Sequence, residues 1–127
     1  MPRPPVVLLV EDHADTQELY AEVLVAAGFD VIQAADAAEA LSLTQSVLPA
    51  VVVTDLWMPG PVSAEEVCRR FHRLGIPVLA VTGVAPGREH EAMRRAGCSS
   101  VLMKPIAPDC LVVENRRLLE GEVRGGG

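Results

Sequence analysis

Short valine-rich apolar runs alternate along this chain with segments whose apolar residues recur every three or four positions. The runs predict buried strands and the recurring segments predict helices. The first strand is Val6–Val10, followed by a helix over about Asp15 to Ala27 with Leu19, Val23 and Ala27 on one face, and Gly28 supplies its stop. Asp30 to Ala34 is a second, weaker strand. Asp36 with Glu39 has the spacing of a capping box and opens a helix to about Ser46, with Pro49 in the next turn. Ala50 to Thr54 is the clearest buried strand, and Trp57-Met58-Pro59-Gly60-Pro61 after it cannot be helical. Ser63 and Glu66 repeat the capping spacing before a helix to Leu74, with Val67, Phe71 and Leu74 inward and Gly75 ending it. A strand over Pro77 to Val81, a helix from Gly87 to Ala96 ended by Gly97, a strand over Ser100 to Met103 and a helix from Asp109 to about Glu120 complete the pattern.

Five alternating strand and helix units with nearly continuous apolar strands predict an α/β fold, a parallel sheet covered on both faces by helices. Each helix supplies the crossover that parallel neighbours need. One domain over residues 1–120 is expected, with 121–127 a flexible tail ending in three glycines.

In open parallel sheets, sites form beyond the carboxyl ends of the strands. Strand one is followed by Glu11-Asp12, strand three by Asp55, strand four by Thr82-Gly83 and strand five by Lys104-Pro105. A charge at one strand end is ordinary. Three carboxylates, a hydroxyl and a lysine delivered to one edge point to chemistry. Two unit charges ~4 Å apart repel by roughly 4 kcal/mol at an effective dielectric of 20. Lys104 offsets one of the three carboxylate charges, and a hard divalent cation would offset two more. The residues therefore predict a Mg²⁺ site on Glu11, Asp12 and Asp55, with Trp57 close enough to report on it.

Composition narrows the partners. Half the residues are hydrophobic and 3% aromatic, so the core rests on aliphatic side chains. A net charge of −6 argues against direct nucleic-acid binding, which needs a concentrated basic surface. No apolar run approaches a membrane span. Cys68, Cys98 and Cys110 lack paired spacing and read as reduced thiols of a cytoplasmic protein. His13, His72 and His90 lack metal-ligand spacing with one another, and the arginine pairs at 69–70, 94–95 and 116–117 read as solvated helix faces.

Val7-Leu8-Leu9-Val10-Glu11-Asp12, Asp55-Leu56-Trp57-Met58-Pro59-Gly60, Val81-Thr82-Gly83, Ala96-Gly97 and Lys104-Pro105, in this order and spacing, resemble the receiver domain of bacterial two-component response regulators. The likeness spans about residues 5 to 120. It implies a doubly wound, flavodoxin-like sheet of order 2-1-3-4-5 with five helices. It implies that Asp55 accepts a phosphoryl group from a histidine kinase or phosphotransfer protein, and that the domain promotes its own phosphorylation and dephosphorylation without being an enzyme. It implies Mg²⁺ held by Asp12, Asp55 and the backbone carbonyl of Trp57, with Glu11 acting through water. Lys104 would pair with a phosphoryl oxygen, aimed by a cis Lys104–Pro105 bond. Thr82 would bond another oxygen, drawing its loop inward and switching a surface read by a downstream protein. Three positions depart from the pattern: Glu11 replaces an aspartate, Val101 an aromatic residue, and Ser63 a glycine.

Three other readings compete. A flavin or nucleotide module would want a glycine- or hydroxyl-rich loop where Glu11-Asp12-His13 stands. A metal-dependent phosphohydrolase would want a second acid where Trp57 stands. A degenerate receiver would act only as a phosphorylation-independent binding module, and the complete acceptor set argues against it.

Overall fold

In the computed structural model, residues 3–56, 60–83 and 87–125 are described. Elements alternate as expected: β1 (Val6–Val10), α1 (Ala14–Ala26), β2 (Asp30–Ala34), α2 (Ala37–Leu43), β3 (Val51–Asp55), α3 (Ala64–Arg73), β4 (Val78–Thr82), α4 (Arg88–Arg95), β5 (Ser100–Met103) and α5 (Pro108–Gly125). All strand pairs are parallel, and the sheet order is β2-β1-β3-β4-β5. The strands' two-residue period divides their side chains between two cores. Leu8, Val10, Val52, Val78 and Ala80 meet Ala37 and Ala40 of α2, Val67, Cys68 and Phe71 of α3, and Met93 of α4. Val7, Leu9, Val51, Val53, Leu79 and Val81 meet Tyr20, Ala21 and Leu24 of α1 and Leu111 and Leu118 of α5. The chain is thus doubly wound, with α1 and α5 on one face and α2, α3 and α4 on the other.

One apolar face and one inward position differ from the sequence pattern. Leu19 is 53% exposed, because α1 turns its 20/21/24 face to the sheet and leaves the 19/23/27 stripe at the rim. Leu74 is 56% exposed. It caps α3, after which Gly75 at φ +76° turns the chain, and Ile76 packs back against the core instead. Helix α2 stops at Leu43 rather than Ser46. Gln45 and Ser46 donate to carbonyls three residues back, tightening the chain into turns. Helix α5 runs past residue 120 to Gly125, into the segment assigned to the tail.

The caps explain most other boundaries. Asp36 accepts from the Glu39 N–H at 2.8 Å, and the Glu39 carboxylate reaches back to the Ala35 N–H at 2.7 Å. Ser63 accepts from the Glu66 N–H at 3.1 Å, but Glu66 turns outward to Arg69 and Arg70 instead of completing the box. Helix α4 ends in paired bonds from Gly97 N–H to Arg94 and from Cys98 N–H to Met93, with Gly97 at φ +102°. A Cβ at Gly97 would lie 2.5 Å from His72 Cγ and 2.9 Å from His72 Cβ, whereas one at Gly28 would meet nothing within 4 Å. Gly97→Ala should therefore lose more stability than Gly28→Ala. The left-handed backbone costs each about 1–2 kcal/mol, and only the first must also displace a side chain of α3. Urea midpoints of the two variants measure the difference, and equal midpoints would contradict it.

Candidate functional site

The register brings the functional side chains together. Val10 of β1 pairs with Thr54 of β3, so Glu11 and Asp55 emerge one residue later from neighbouring strands. Asp55 pairs with Val81 and the Leu56 N–H donates to Val81 O, which sets Thr82 of β4 beside Asp55. The Lys104 N–H donates to Thr82 O at 2.7 Å, fixing the exit from β5. Asp55, expected in the loop after strand three, is the last residue of β3, and Thr82 is likewise the last residue of β4.

Lys104 spans two nearly buried carboxylates. Its Nζ donates to Asp55 Oδ2 at 2.9 Å and to Glu11 Oε1 at 3.3 Å. Glu11 is 2% and Asp55 7% exposed. One ammonium does not balance two desolvated carboxylates, and the imbalance shows in the proton affinities. Burial, and then the charge of Asp55, push Glu11 above the usual carboxylate range, outweighing the His13 N–H and Lys104. Burial opposes the charge on Lys104, but the hydrogen bond and charge of Asp55, with those of Glu11, raise it overall. Tyr20 of α1 feels the same field: burial raises its hydroxyl, Lys104 opposes, and Glu11 and Asp55 add to the rise.

A stability prediction follows from Glu11. Its folded pKa lies above its ordinary value of 4.5, so the folded chain binds more protons than the unfolded one between the two. The stability carried by neutral Glu11 is complete below the unfolded value and is lost as pH rises through the folded one. In chelator-containing buffer, Glu11→Gln should remove this part of the decline. Denaturant midpoints between pH 4 and 8 report it, and parallel wild-type and variant profiles would count against it.

The loop after β1 adds the open side of the site. Asp12 is exposed, and His13 places its Nδ1 3.6 Å from both Glu11 Oε2 and Asp12 Oδ1. The His13 N–H donates to Glu11 Oε2 at 3.1 Å. Candidate ligand atoms of Glu11, Asp12 and His13 lie within 4.8 Å of one another, with Asp55 beside them through Lys104. The His13 ring is 76% exposed, yet it leans on the acidic pair. Gln17 was missed altogether. Its Nε2 donates to Glu11 O at 3.1 Å and Ala34 O at 2.9 Å, tying α1 to the ends of β1 and β2. Nothing in the one-dimensional pattern marks it, because a polar residue in the first turn of a helix is commonplace. The Lys104–Pro105 bond is cis, as the resemblance implied. Trp57, whose carbonyl the resemblance assigned to the metal, lies outside the described residues.

Residues 7–115 match the response regulator receiver domain family. The chain belongs to it. The polar-differentiation response regulator DivK of Brucella anthropi is 32% identical over 108 residues, 82% of this chain and 87% of that protein. The chemotaxis protein CheY4 of Vibrio cholerae superposes with a TM-score of 0.83 at 25% identity, covering 91% of this chain and 98% of that one. A CheY-like receiver domain from Methanospirillum hungatei shares the fold, with a TM-score of 0.88 at 23% identity over 96% of this chain and 98% of that one.

Two departures from the receiver pattern find a structural reason or setting. Ser63 is the N-cap of α3, so its hydroxyl supplies a bond that a glycine could not. Val101 is half-buried in β5, packed against the core that α2, α3 and α4 cover. Among the described residues, no helix is long and apolar enough to cross a membrane.

Proposed function

We propose that this receiver accepts a phosphoryl group on Asp55 in a Mg²⁺-dependent reaction, taking it from a phosphohistidine of a cytoplasmic histidine kinase or phosphotransfer protein. The observation that carries the reading is Asp55 at the end of β3, nearly buried and hydrogen-bonded by Lys104 at 2.9 Å, with Glu11 under-neutralised beside it. The donor set suits a hard divalent cation. It offers carboxylate oxygens, carries more negative charge than one lysine offsets, and has an exposed member in Asp12. Asp12 and Asp55 would hold the ion, with Glu11 through water and the Trp57 carbonyl completing the set. Bound Mg²⁺ would neutralise charge on the transferring phosphoryl group.

The chain's own residues do the rest. An Asp55 carboxylate oxygen attacks phosphorus, forming the O–P bond as the P–N bond breaks, and the donor imidazole takes back a proton. Lys104 leaves Asp55 for a phosphoryl oxygen and remains within reach of Glu11. The Thr82 hydroxyl, buried at the end of β4, bonds another phosphoryl oxygen and draws the following loop inward. That displacement shifts the population toward a surface read by a downstream protein. The domain is an acceptor that promotes its own phosphorylation and hydrolysis, not an enzyme with a separate substrate.

Acetyl phosphate with and without Mg²⁺, read by intact mass, tests this. The expected result is one phosphoryl adduct that forms only with Mg²⁺, survives acid and is lost in alkali. Unchanged mass, with phosphorylated kinase also tried, would leave the phosphorylation-independent binding module as the reading.

A further inference from the structure

Two of the three cysteines meet in the core on the α3 and α4 side of the sheet. Cys68 lies on α3 and is fully buried among Val67, Phe71 and Met93. Cys98 opens the turn between α4 and β5, half-buried and packed against the same cluster. The two residues meet at one carbonyl: Cys68 Sγ approaches Met93 O, to which the Cys98 N–H also donates. Cys98 Sγ also lies 2.9 Å from Ser100 O and 3.4 Å from Val78 O, and Cys68 Sγ lies 3.8 Å from Met93 O. Both positions are held firmly. Cys68 sits mid-helix, and Cys98 is fixed by its N–H bond to Met93 O across the Gly97 turn. Cys110 is exposed on α5, outside this cluster.

The pair is chemically asymmetric. Cys98 is half-buried, whereas Cys68 is fully buried. The neighbouring Cys68 thiol lowers the Cys98 thiol from its ordinary value, with burial opposing and Arg94 assisting. Cys98 and burial together raise Cys68. A half-buried thiol with enhanced thiolate character beside a buried resolving thiol is an arrangement that can oxidise in two steps.

We propose that Cys68 and Cys98 form an oxidisable dithiol that closes reversibly to an intramolecular disulfide, with hydroperoxides as the oxidant class. The Cys98 thiolate attacks one peroxide oxygen, breaking the O–O bond and giving a sulfenic acid, with the second oxygen leaving as water once protonated. The Cys68 sulfur then attacks Cys98 sulfur, forming the S–S bond as the S–O bond breaks. The Cys68 proton leaves with the hydroxyl as a second water. The two sulfurs lose two electrons and the peroxide gains them. Closure links α3 to the α4–β5 turn and so ties together the two helices that flank β4.

The test uses the full chain with Cys110→Ser, which removes the exposed thiol and its intermolecular pairing. After a pulse of hydrogen peroxide, the mass should fall by two hydrogens. A non-reducing peptide map should join Cys68 to Cys98, and dithiothreitol should reverse the change. Cys98→Ser should abolish it. Cys68→Ala should leave Cys98 as a sulfenic acid that dimedone traps. Differential alkylation of the Cys110→Ser chain needs no core substitution and decides the matter even if Cys68→Ala fails to fold. If both cysteines are fully alkylated after peroxide and denaturation, or if Cys98 proceeds to sulfinic acid while Cys68 stays free, the proposal is overturned. Asp55→Asn should oxidise to the same extent, since neither sulfur belongs to the strand-end site.

Discussion

Asp55→Asn will take up no phosphoryl group from acetyl phosphate in the presence of Mg²⁺, yet it will fold at least as well as the native chain. The first half follows from chemistry. A neutral amide oxygen is a poor nucleophile toward phosphorus, and no other carboxylate occupies the end of β3. The second half follows from the electrostatics. Lys104 keeps Glu11 as a partner at 3.3 Å, and Glu11, raised mainly by burial, loses the neighbouring charge that adds to the rise. The thermal midpoint in chelator should therefore stay level or rise, and the apparent pKa of Glu11 should fall toward its ordinary value. Intact mass and a pair of melting curves read both parts. An adduct persisting in the variant would place the acceptor elsewhere, and a collapse in the melting temperature would mean that Asp55 is structural.

Lys104→Met should lose stability and slow phosphorylation without abolishing it. Removing the lysine that spans the two carboxylates leaves Glu11 and Asp55 facing each other with little solvent. Removing one partner of a buried ion pair is costly because the other charge stays buried; with Lys104 itself a quarter exposed, about 2 kcal/mol is the expected loss at neutral pH without metal. Phosphorylation should slow by roughly 100-fold, the usual effect of deleting one donor to developing charge. Adding Glu11→Gln to Lys104→Met separates the two roles. It should recover stability, because one of the repelling charges is gone, and should not recover rate, because the phosphoryl oxygen still lacks its lysine. Denaturation midpoints and initial rates of adduct formation measure these outcomes. Recovery of rate in the double variant would show that Lys104 acts only by neutralising Glu11.

The central strands β1, β3 and β4 were legible because they are short, apolar and buried nearly throughout, whereas the edge strands β2 and β5 are partly exposed. All five fall within one residue of their expected bounds, and Val6–Val10, Asp30–Ala34 and Ser100–Met103 coincide with them. Helix ends were legible where a residue carries its own stop or start, as at Gly28, Gly75, Gly97, Asp36 and Ser63. Helix α2 has no such stop, and its end was overrun. Helix rotation was less legible. In α1 both the 19/23/27 and the 20/21/24 sets are apolar enough to face a core, and the choice fell to Tyr20 and Leu24 because they fit against β1, β3 and α5.

The acceptor residues were likewise legible in one dimension, since each directly follows or ends a strand and parallel strands all deliver their ends to one edge. Glu11, Asp55, Thr82 and Lys104 could be named without coordinates for that reason. Their energetic relation could not. That Lys104 bridges Glu11 and Asp55, that Gln17 ties the β1 exit to Ala34 of β2, and that Cys68 and Cys98 share one core cluster are relations between residues 93, 49, 17 and 30 positions apart in the chain. Periodicity reports the local conformation of the backbone, which neighbours in sequence decide. Proton affinity, pairing and thiol proximity depend on how closely distant segments pack and how much water they exclude, and only the closed sheet with its helices in place sets those distances.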